Sequence, residues 1–214
     1  MTRVFIQARM SSRRFPGKVL ASFAGRPILQ RLLDAVASVV PLELVAILTS
    51  TESTDTAIEA FANERGVTTF RGPLDDVFER FRLALAQMPC DRFVRLSADS
   101  PLLPSALLQR MIETPADAAD LVTNVHPRTF PKGWSVEVVN TAAFEAVASA
   151  TLSAHDREHV TTCFYTHADR YTIHNVSAGD ARYADMSLAV DSPEDLARIE
   201  QMFERGDVPL VTFA

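Results

Sequence analysis

Lysine is nearly absent from this chain: its 214 residues hold two, Lys18 and Lys132, against nineteen arginines. Where arginine is the default cation, a lysine directly behind Pro16-Gly17 marks a place that needs a compact point charge. Acid is missing where base is densest. Residues 1–33 carry Arg3, Arg9, Arg13, Arg14, Lys18, Arg26 and Arg31 and no Asp or Glu; the chain as a whole is −6, so residues 34–214 carry −13. A net positive charge confined to one short stretch of an acidic chain argues against a duplex-binding face, which spreads it broadly, so no nucleic acid is expected as partner. Cysteine is scarce too. Cys90 and Cys163 are too few and too far apart for a disulfide framework and fit a reducing, cytoplasmic setting. No apolar run approaches the ~20 residues that span a bilayer, and Val4-Phe5-Ile6 is far too short for a signal-peptide core. No membrane partner is expected.

Several catalytic signatures are also missing. There is no G-x-x-x-x-G-K phosphate loop, no G-x-G-x-x-G for a dinucleotide and no H-E-x-x-H zinc helix. There is no G-x-S-x-G for a serine nucleophile. His155, His159, Cys163 and His167 recur every four residues, a spacing that stacks side chains on a helix and could ligate zinc, but the stripe drifts over twelve residues.

What is present alternates. Apolar runs over 4–8, 44–49, 67–70, 93–96 and 120–123 read as strands. Between and after them, residues 28–39, 55–64, 75–87 and 104–113 carry apolar side chains at helical spacing. Such alternation predicts βαβ units and one α/β domain over 1–214, a Rossmann-like, mostly parallel sheet flanked by helices. Residues 134–139 alternate less cleanly and are expected to run antiparallel or to open a smaller subregion over about 125–180. Residues 141–149 and 156–167 read as helices, 171–176 and 187–190 as strands. A closing helix over 192–205 has Ser192 as N-cap and Pro193 at its first position.

Open parallel sheets bind ligands outside the carboxyl ends of their strands. The segments just past the strands are therefore the informative ones. After the first comes Gln7-Ala-Arg-Met-Ser-Ser-Arg-Arg-Phe-Pro-Gly-Lys18; after the others come Thr49-Ser50, Arg71-Gly72, Ser97-Ala-Asp-Ser-Pro101 and Asp191. A basic loop that ends a strand suits a small polyanion such as a nucleoside triphosphate, though a solvated arginine cluster has the same composition. Asp99 and Asp191 each fit a turn or helix cap. Together, on one edge with the basic loop, they fit phosphoryl or nucleotidyl transfer, with carboxylates for Mg²⁺ and cations for the leaving phosphates.

These residues resemble a family. Ile6-Gln-Ala-Arg-Met-Ser-Ser-Arg-Arg-Phe-Pro-Gly-Lys-Val-Leu20 is similar to the opening of the sugar cytidylyltransferases, among them the acylneuraminate, 3-deoxy-manno-octulosonate and spore-coat polysaccharide branches. The likeness continues through Gly25-Arg-Pro27, Thr49-Ser50-Thr51, Phe70-Arg-Gly72, Asp75-Asp76-Val77 and Arg95-Leu-Ser-Ala-Asp-Ser-Pro-Leu102. It resumes at Pro131-Lys-Gly-Trp-Ser-Val-Glu-Val138, Arg157-Glu-His-Val-Thr161 and Val190-Asp-Ser-Pro-Glu-Asp-Leu196.

The resemblance implies a nucleotide-diphospho-sugar transferase fold and a dimer. It implies an enzyme that joins CMP from CTP to a sugar, an acidic nonulosonate-like one, with release of pyrophosphate for surface glycan synthesis. The alternatives are the same chemistry with another triphosphate and a sugar phosphate, or a non-catalytic nucleotide- or sugar-binding relative. Carried over, Arg9, Lys18, Asp99 and Asp191 are the catalytic residues, the two aspartates holding Mg²⁺. Gln7, Ala8, Arg13, Arg14, Thr49, Arg71, Asp76 and Ser97 join Arg9 and Lys18 around the nucleotide. Trp134, Glu137, Arg157 and His159 face the sugar. The chain departs from the pattern in two places. Ala98 stands where relatives often have Gly, and Gly133-Trp134-Ser135 stands where the nearest branch often has Gly-Leu-Asp, so Trp134 is expected to stack on an apolar sugar face.

Overall fold

The computed structural model describes residues 1–115 and 118–214. In chain order it runs β1 (Thr2–Gln7), the two-residue strands β2 (Ser22–Phe23) and β3 (Arg26–Pro27), α1 (Ile28–Ala37), β4 (Val45–Ser50), α2 (Thr56–Asn63), β5 (Thr68–Gly72), α3 (Val77–Gln87), β6 (Arg92–Ser97) and α4 (Ser105–Glu113). Then follow β7 (Leu121–Thr123), β8 (Glu137–Asn140), α5 (Thr141–Glu145), α6 (Ala154–His159), α7 (Thr162–Thr166), β9 (Ile173–Asn175) and α8 (Pro193–Arg205).

Successive side chains of a strand point to opposite faces, and here each face has its own core. Val4 and Ile6 of β1, with Val45 and Ile47 of β4, meet α1, α2, α4 and Ile199 of α8. Phe5, Ala46, Leu48 and Phe93 meet α3, α5 and α7 on the other side. The second core is aromatic: Phe78 of α3 stacks on Phe144 of α5 at 4.3 Å between centroids. Burying each such ring stabilises the fold by about 2–3 kcal/mol relative to leaving it in water. The strand order is β5-β4-β1-β6-β8-β7-β9. All pairs are parallel except those of β8, which runs against both β6 and β7. The expected α/β architecture is the observed one. Among the described residues no helix is long and apolar enough to cross a membrane.

Three expected elements differ, each for a visible reason. The strand expected over 134–139 starts only at Glu137. Before it, the buried Asn124 side chain donates to the Trp134 carbonyl (2.7 Å) and accepts from the Val136 amide (2.9 Å), so those backbone groups are engaged outside the ladder. The helix expected over 156–167 is two helices. Val160 breaks it with φ 62° and ψ −57°, where the Thr161 amide closes a tight turn onto the His159 carbonyl at 2.6 Å. This is a strained γ-turn, and rarer still for a β-branched residue. It dissolves the four-residue His/Cys stripe, and no group of three or more metal-ligating side chains occurs among the described residues. Residues 187–190 do not form a strand, although 188–190 are buried. Their amides bond two unrelated loops, Leu188 to the Lys132 carbonyl (2.6 Å) and Val190 to the Asp99 carbonyl (2.9 Å).

The closing helix α8 forms as its sequence dictates. Ser192 and Asp195 make a reciprocal capping box, Pro193 sits in the first turn, and Gly206 ends the helix in the left-handed region.

Candidate active site

The backbone bond from Val190 to Asp99 sets the two expected metal carboxylates side by side at the carboxyl edge of the sheet. Lys18 reaches both. Its Nζ donates to Oδ2 of Asp99 (3.2 Å), to Oδ1 of Asp191 (3.0 Å) and to the Val190 carbonyl (2.7 Å). Asp191 also pairs with Arg14 (2.9 Å) and Lys132 (3.2 Å). Burial pushes the Asp191 carboxyl upward, but Lys18 and Lys132 outweigh it and hold it at about 2. The rim thus carries a carboxylate that stays ionised well below neutral pH, beside three cations.

A buried acid that the sequence did not single out organises the basic loop. Asp55, fully buried ahead of α2, accepts from the Met10 amide (2.7 Å), the Thr49 hydroxyl (2.9 Å) and both the amide and hydroxyl of Ser50. Burial raises its pKa, yet these donors prevail and keep it below the ordinary carboxylate range. Its one sequence signal is a carboxylate five residues past β4, on the same edge as Asp99. A second missed residue is Arg80, 1% exposed on α3, which clasps the Pro73 and Leu74 carbonyls; burial lowers its pKa to about 10.

The remaining expected nucleotide residues are placed as follows. Arg9 lies on the surface and pairs with Glu158 of α6 at 3.2 Å. Arg13 is exposed and makes no ion pair among the described residues. Gln7 and Ser97 are register partners at the ends of β1 and β6. The Ala8 amide is taken by the Leu48 carbonyl (3.0 Å), and Thr49 is buried against Asp55. Arg71 donates to the carbonyls of Ser50 and Glu52 and pairs with Glu59, so it shapes the loop after β4. Asp76 caps α3 by accepting from the Glu79 amide and pairs with Arg157. Ala98 sends its methyl group into the core.

Near two of the residues expected to face the sugar, a cavity of about 290 Å³ opens beside β8, with Glu137 and His159 in its wall. Glu137 is 4% exposed and receives Arg95, the Thr161 hydroxyl (2.8 Å) and the Tyr165 hydroxyl. Burial, then the Glu137 charge, drives the Tyr165 phenol far up, so it stays protonated as a donor. Burial and the neighbouring His155 lower the pKa of His159. Arg95 also donates to the Gln7 side chain (3.0 Å), a link from cavity to nucleotide edge. Two expected sugar residues are not in the wall. Arg157 is turned to Asp76 and the Ser149 carbonyl (2.6 Å). Trp134 is 2% exposed and belongs to the core, so its ring is not open to solvent.

A cytidylyltransferase family model matches residues 4–209. The chain is 29% identical, over 97% of its length and 88% of the relative's, to the spore coat polysaccharide biosynthesis protein SpsF of Bacillus subtilis (strain 168). It is 26% identical, over 92% of its length and 95% of the relative's, to a 3-deoxy-manno-octulosonate cytidylyltransferase of Bdellovibrio bacteriovorus. Among solved structures, a cytidylyltransferase from Leptospira borgpetersenii serovar Hardjo-bovis superposes with a TM-score of 0.89 at 27% identity, covering 95% of this chain and 87% of that one.

Proposed function

We propose that this chain, which belongs to the cytidylyltransferase family, transfers CMP from CTP to a sugar and releases pyrophosphate. The observation that carries this reading is Lys18, whose single ammonium lies within 3.2 Å of both Asp99 and Asp191 at the end of the basic loop. In the reaction a sugar hydroxyl oxygen bonds the α-phosphorus, the bond from that phosphorus to the α–β bridging oxygen breaks so that pyrophosphate leaves, and the hydroxyl proton passes to solvent. Lys18, Arg14 and Arg9 neutralise the charge that grows on the departing pyrophosphate. Arg9 leaves Glu158 to do so. Little covalent chemistry is asked of the protein; holding the two reactants in line supplies most of the acceleration.

Asp99 and Asp191 are the residues that would hold a divalent cation. Two adjacent carboxylates fit Mg²⁺, which takes one or two from a protein and fills its shell with phosphate and water. When bound, it supplies charge neutralisation on the phosphates. Gln7 and Ser97 reach the nucleotide from the strand ends, and Thr49 acts through Asp55. The sugar enters the cavity over Glu137 and His159. The reading also includes the dimer that the resemblance implies and the cytoplasmic setting that fits the two scattered cysteines, and a sedimentation mass tests the former.

The test is pyrophosphate release with each of the four nucleoside triphosphates, with Mg²⁺ and with EDTA, against acidic, neutral and phosphorylated sugars. CTP with Mg²⁺ and one sugar class is the expected productive set. Release with no sugar, or with another triphosphate in preference to CTP, overturns the reading.

A further inference from the structure

Arg80, in the first turn of α3, is a charged side chain that the fold buries whole: it is 1% exposed and makes no ion pair among the described residues. Its Nε donates to the Pro73 carbonyl (3.0 Å), and its Nη2 to the carbonyls of Pro73 (2.6 Å) and Leu74 (3.0 Å). Asp55 steadies the charge from beyond ion-pair distance, and Arg9 opposes it. Gly72 makes room for the stem: a Cβ there would stand 2.8 Å from Cγ of Arg80 and 3.3 Å from its Cβ. Asp76 pins the far end of the same loop by accepting from the Glu79 amide at 2.9 Å. A guanidinium is costly to bury, and packing alone would be served better by an apolar side chain. What the arginine adds is a rigid fork of donors that fixes the 73–74 backbone.

Strand order says what that loop faces. On the functional reading above, the sugar lies beside β8, and the transferred phosphate lies at the rim of Lys18, Asp99 and Asp191 past β1 and β6. The basic loop after β1 takes the leaving phosphates. The nucleoside then extends away from the sugar, over β4 toward β5, whose end lies about 14 Å from that of β6 at the usual strand spacing. The loop is laced to this edge. The Gly72 carbonyl accepts from the Thr51 amide (3.0 Å), and Arg71 donates to the Ser50 carbonyl (2.9 Å). We propose that Arg80 is a positioning residue for base selection: by clasping Pro73 and Leu74 it holds residues 73–76 as a fixed wall against the nucleoside base. It touches no substrate itself. The proposal rests on the functional reading and names the side chain that acts behind the base. A fixed wall discriminates, because a base with the wrong edge leaves a protein donor or acceptor unpaired. A loose wall adjusts and loses the distinction.

The experiment titrates CTP and UTP, each with Mg²⁺, into wild type, Arg80→Met, Arg80→Lys and Gly72→Ala by calorimetry, which needs no sugar. Urea unfolding reports the stability of each variant separately. Arg80→Met should narrow the preference for CTP over UTP by on the order of 10-fold, the scale of one lost hydrogen-bonding contact, chiefly by weakening CTP. In pyrophosphate release the same loss should sit in the KM for CTP rather than in kcat. The KM for the sugar should stay within about twofold of wild type. Arg80→Lys keeps the charge but not the fork, and should recover part of the preference. Gly72→Ala leaves Arg80 in place and displaces its stem, so it should narrow the preference as well. A staple that serves the fold alone would lower stability and leave the preference intact. A preference within about twofold of wild type in the folded variants overturns the proposal while the cytidylyltransferase reading stands. Should Arg80→Met not fold, Arg80→Lys and Gly72→Ala decide by the same criterion. A wild type that binds UTP as tightly as CTP overturns both.

Discussion

The Met10 amide donates to Oδ1 of Asp55 across 2.7 Å, joining residues 45 apart and fixing the basic loop to the end of β4. Because Asp55 is fully buried, removing it strands the donors of Met10, Thr49 and Ser50. Asp55→Ala should therefore lose on the order of 3 kcal/mol in urea unfolding and raise the KM for CTP. A stability within about 1 kcal/mol of wild type, with CTP affinity intact, would show that the loop holds itself.

Lys18 and Lys132 both touch Asp191, but their settings differ: the Lys18 side chain is 12% exposed and that of Lys132 57%. An ammonium held out of water stabilises developing charge far better than a solvated one. Lys18→Met should lower kcat by about 100- to 1,000-fold. Lys132→Met should cost less than about tenfold, as befits an exposed ion pair. Steady-state kinetics on both variants decides, and equal losses would refute the distinction.

Acid should loosen the fold through Asp191. Its folded pKa, about 2, lies below the ordinary 3.8, so between these values the unfolded chain binds more protons. The stability it contributes is full above pH 3.8 and fades as pH falls toward 2. Thermal melts from pH 5 to pH 2 should show wild type losing stability more steeply than Asp191→Asn. Parallel curves would mean that the three cations do not hold the carboxylate down.

Gly133 permits a backbone approach that nothing larger allows. It has φ +97°, and a Cβ there would stand 2.5 Å from the Leu188 carbonyl carbon and 2.6 Å from the Ala189 nitrogen. Backbone cannot swing aside as a side chain does. Gly133→Ala should cost about 3 kcal/mol, read from the urea midpoint, and displace the neighbouring Lys132. A cost below about 1 kcal/mol would mean that the 131–133 loop yields freely.

Periodicity made the parallel half of the sheet legible, because strands buried on both faces and amphipathic helices leave plain patterns. Asp99 and Asp191 were legible for a related reason: each lies just beyond a buried run, where ligands of such sheets gather, whereas Lys18 stood out as the lone lysine of the basic loop. The rest depended on contacts that no local pattern records. Trp134 reads as a stacking surface, yet the fold buries it in the core. Asp76 and Arg157 read as ligand contacts, yet they answer each other. Residues 156–167 keep a helical pattern that the Val160 turn interrupts. Asp55 drew no notice because an acid near a helix start is commonplace; only the Met10 amide, brought in by tertiary folding, gives it a role.

Every residue lining the cavity beside β8, Arg95 excepted, comes from the stretch between Val125 and Tyr165, whereas Lys18, Asp99 and Asp191 all lie outside it. On the proposed function, acceptor choice and phosphate handling are thus written in separate paragraphs of the chain. A lineage can redraft the former by exchanging one contiguous segment, and leave the latter verbatim.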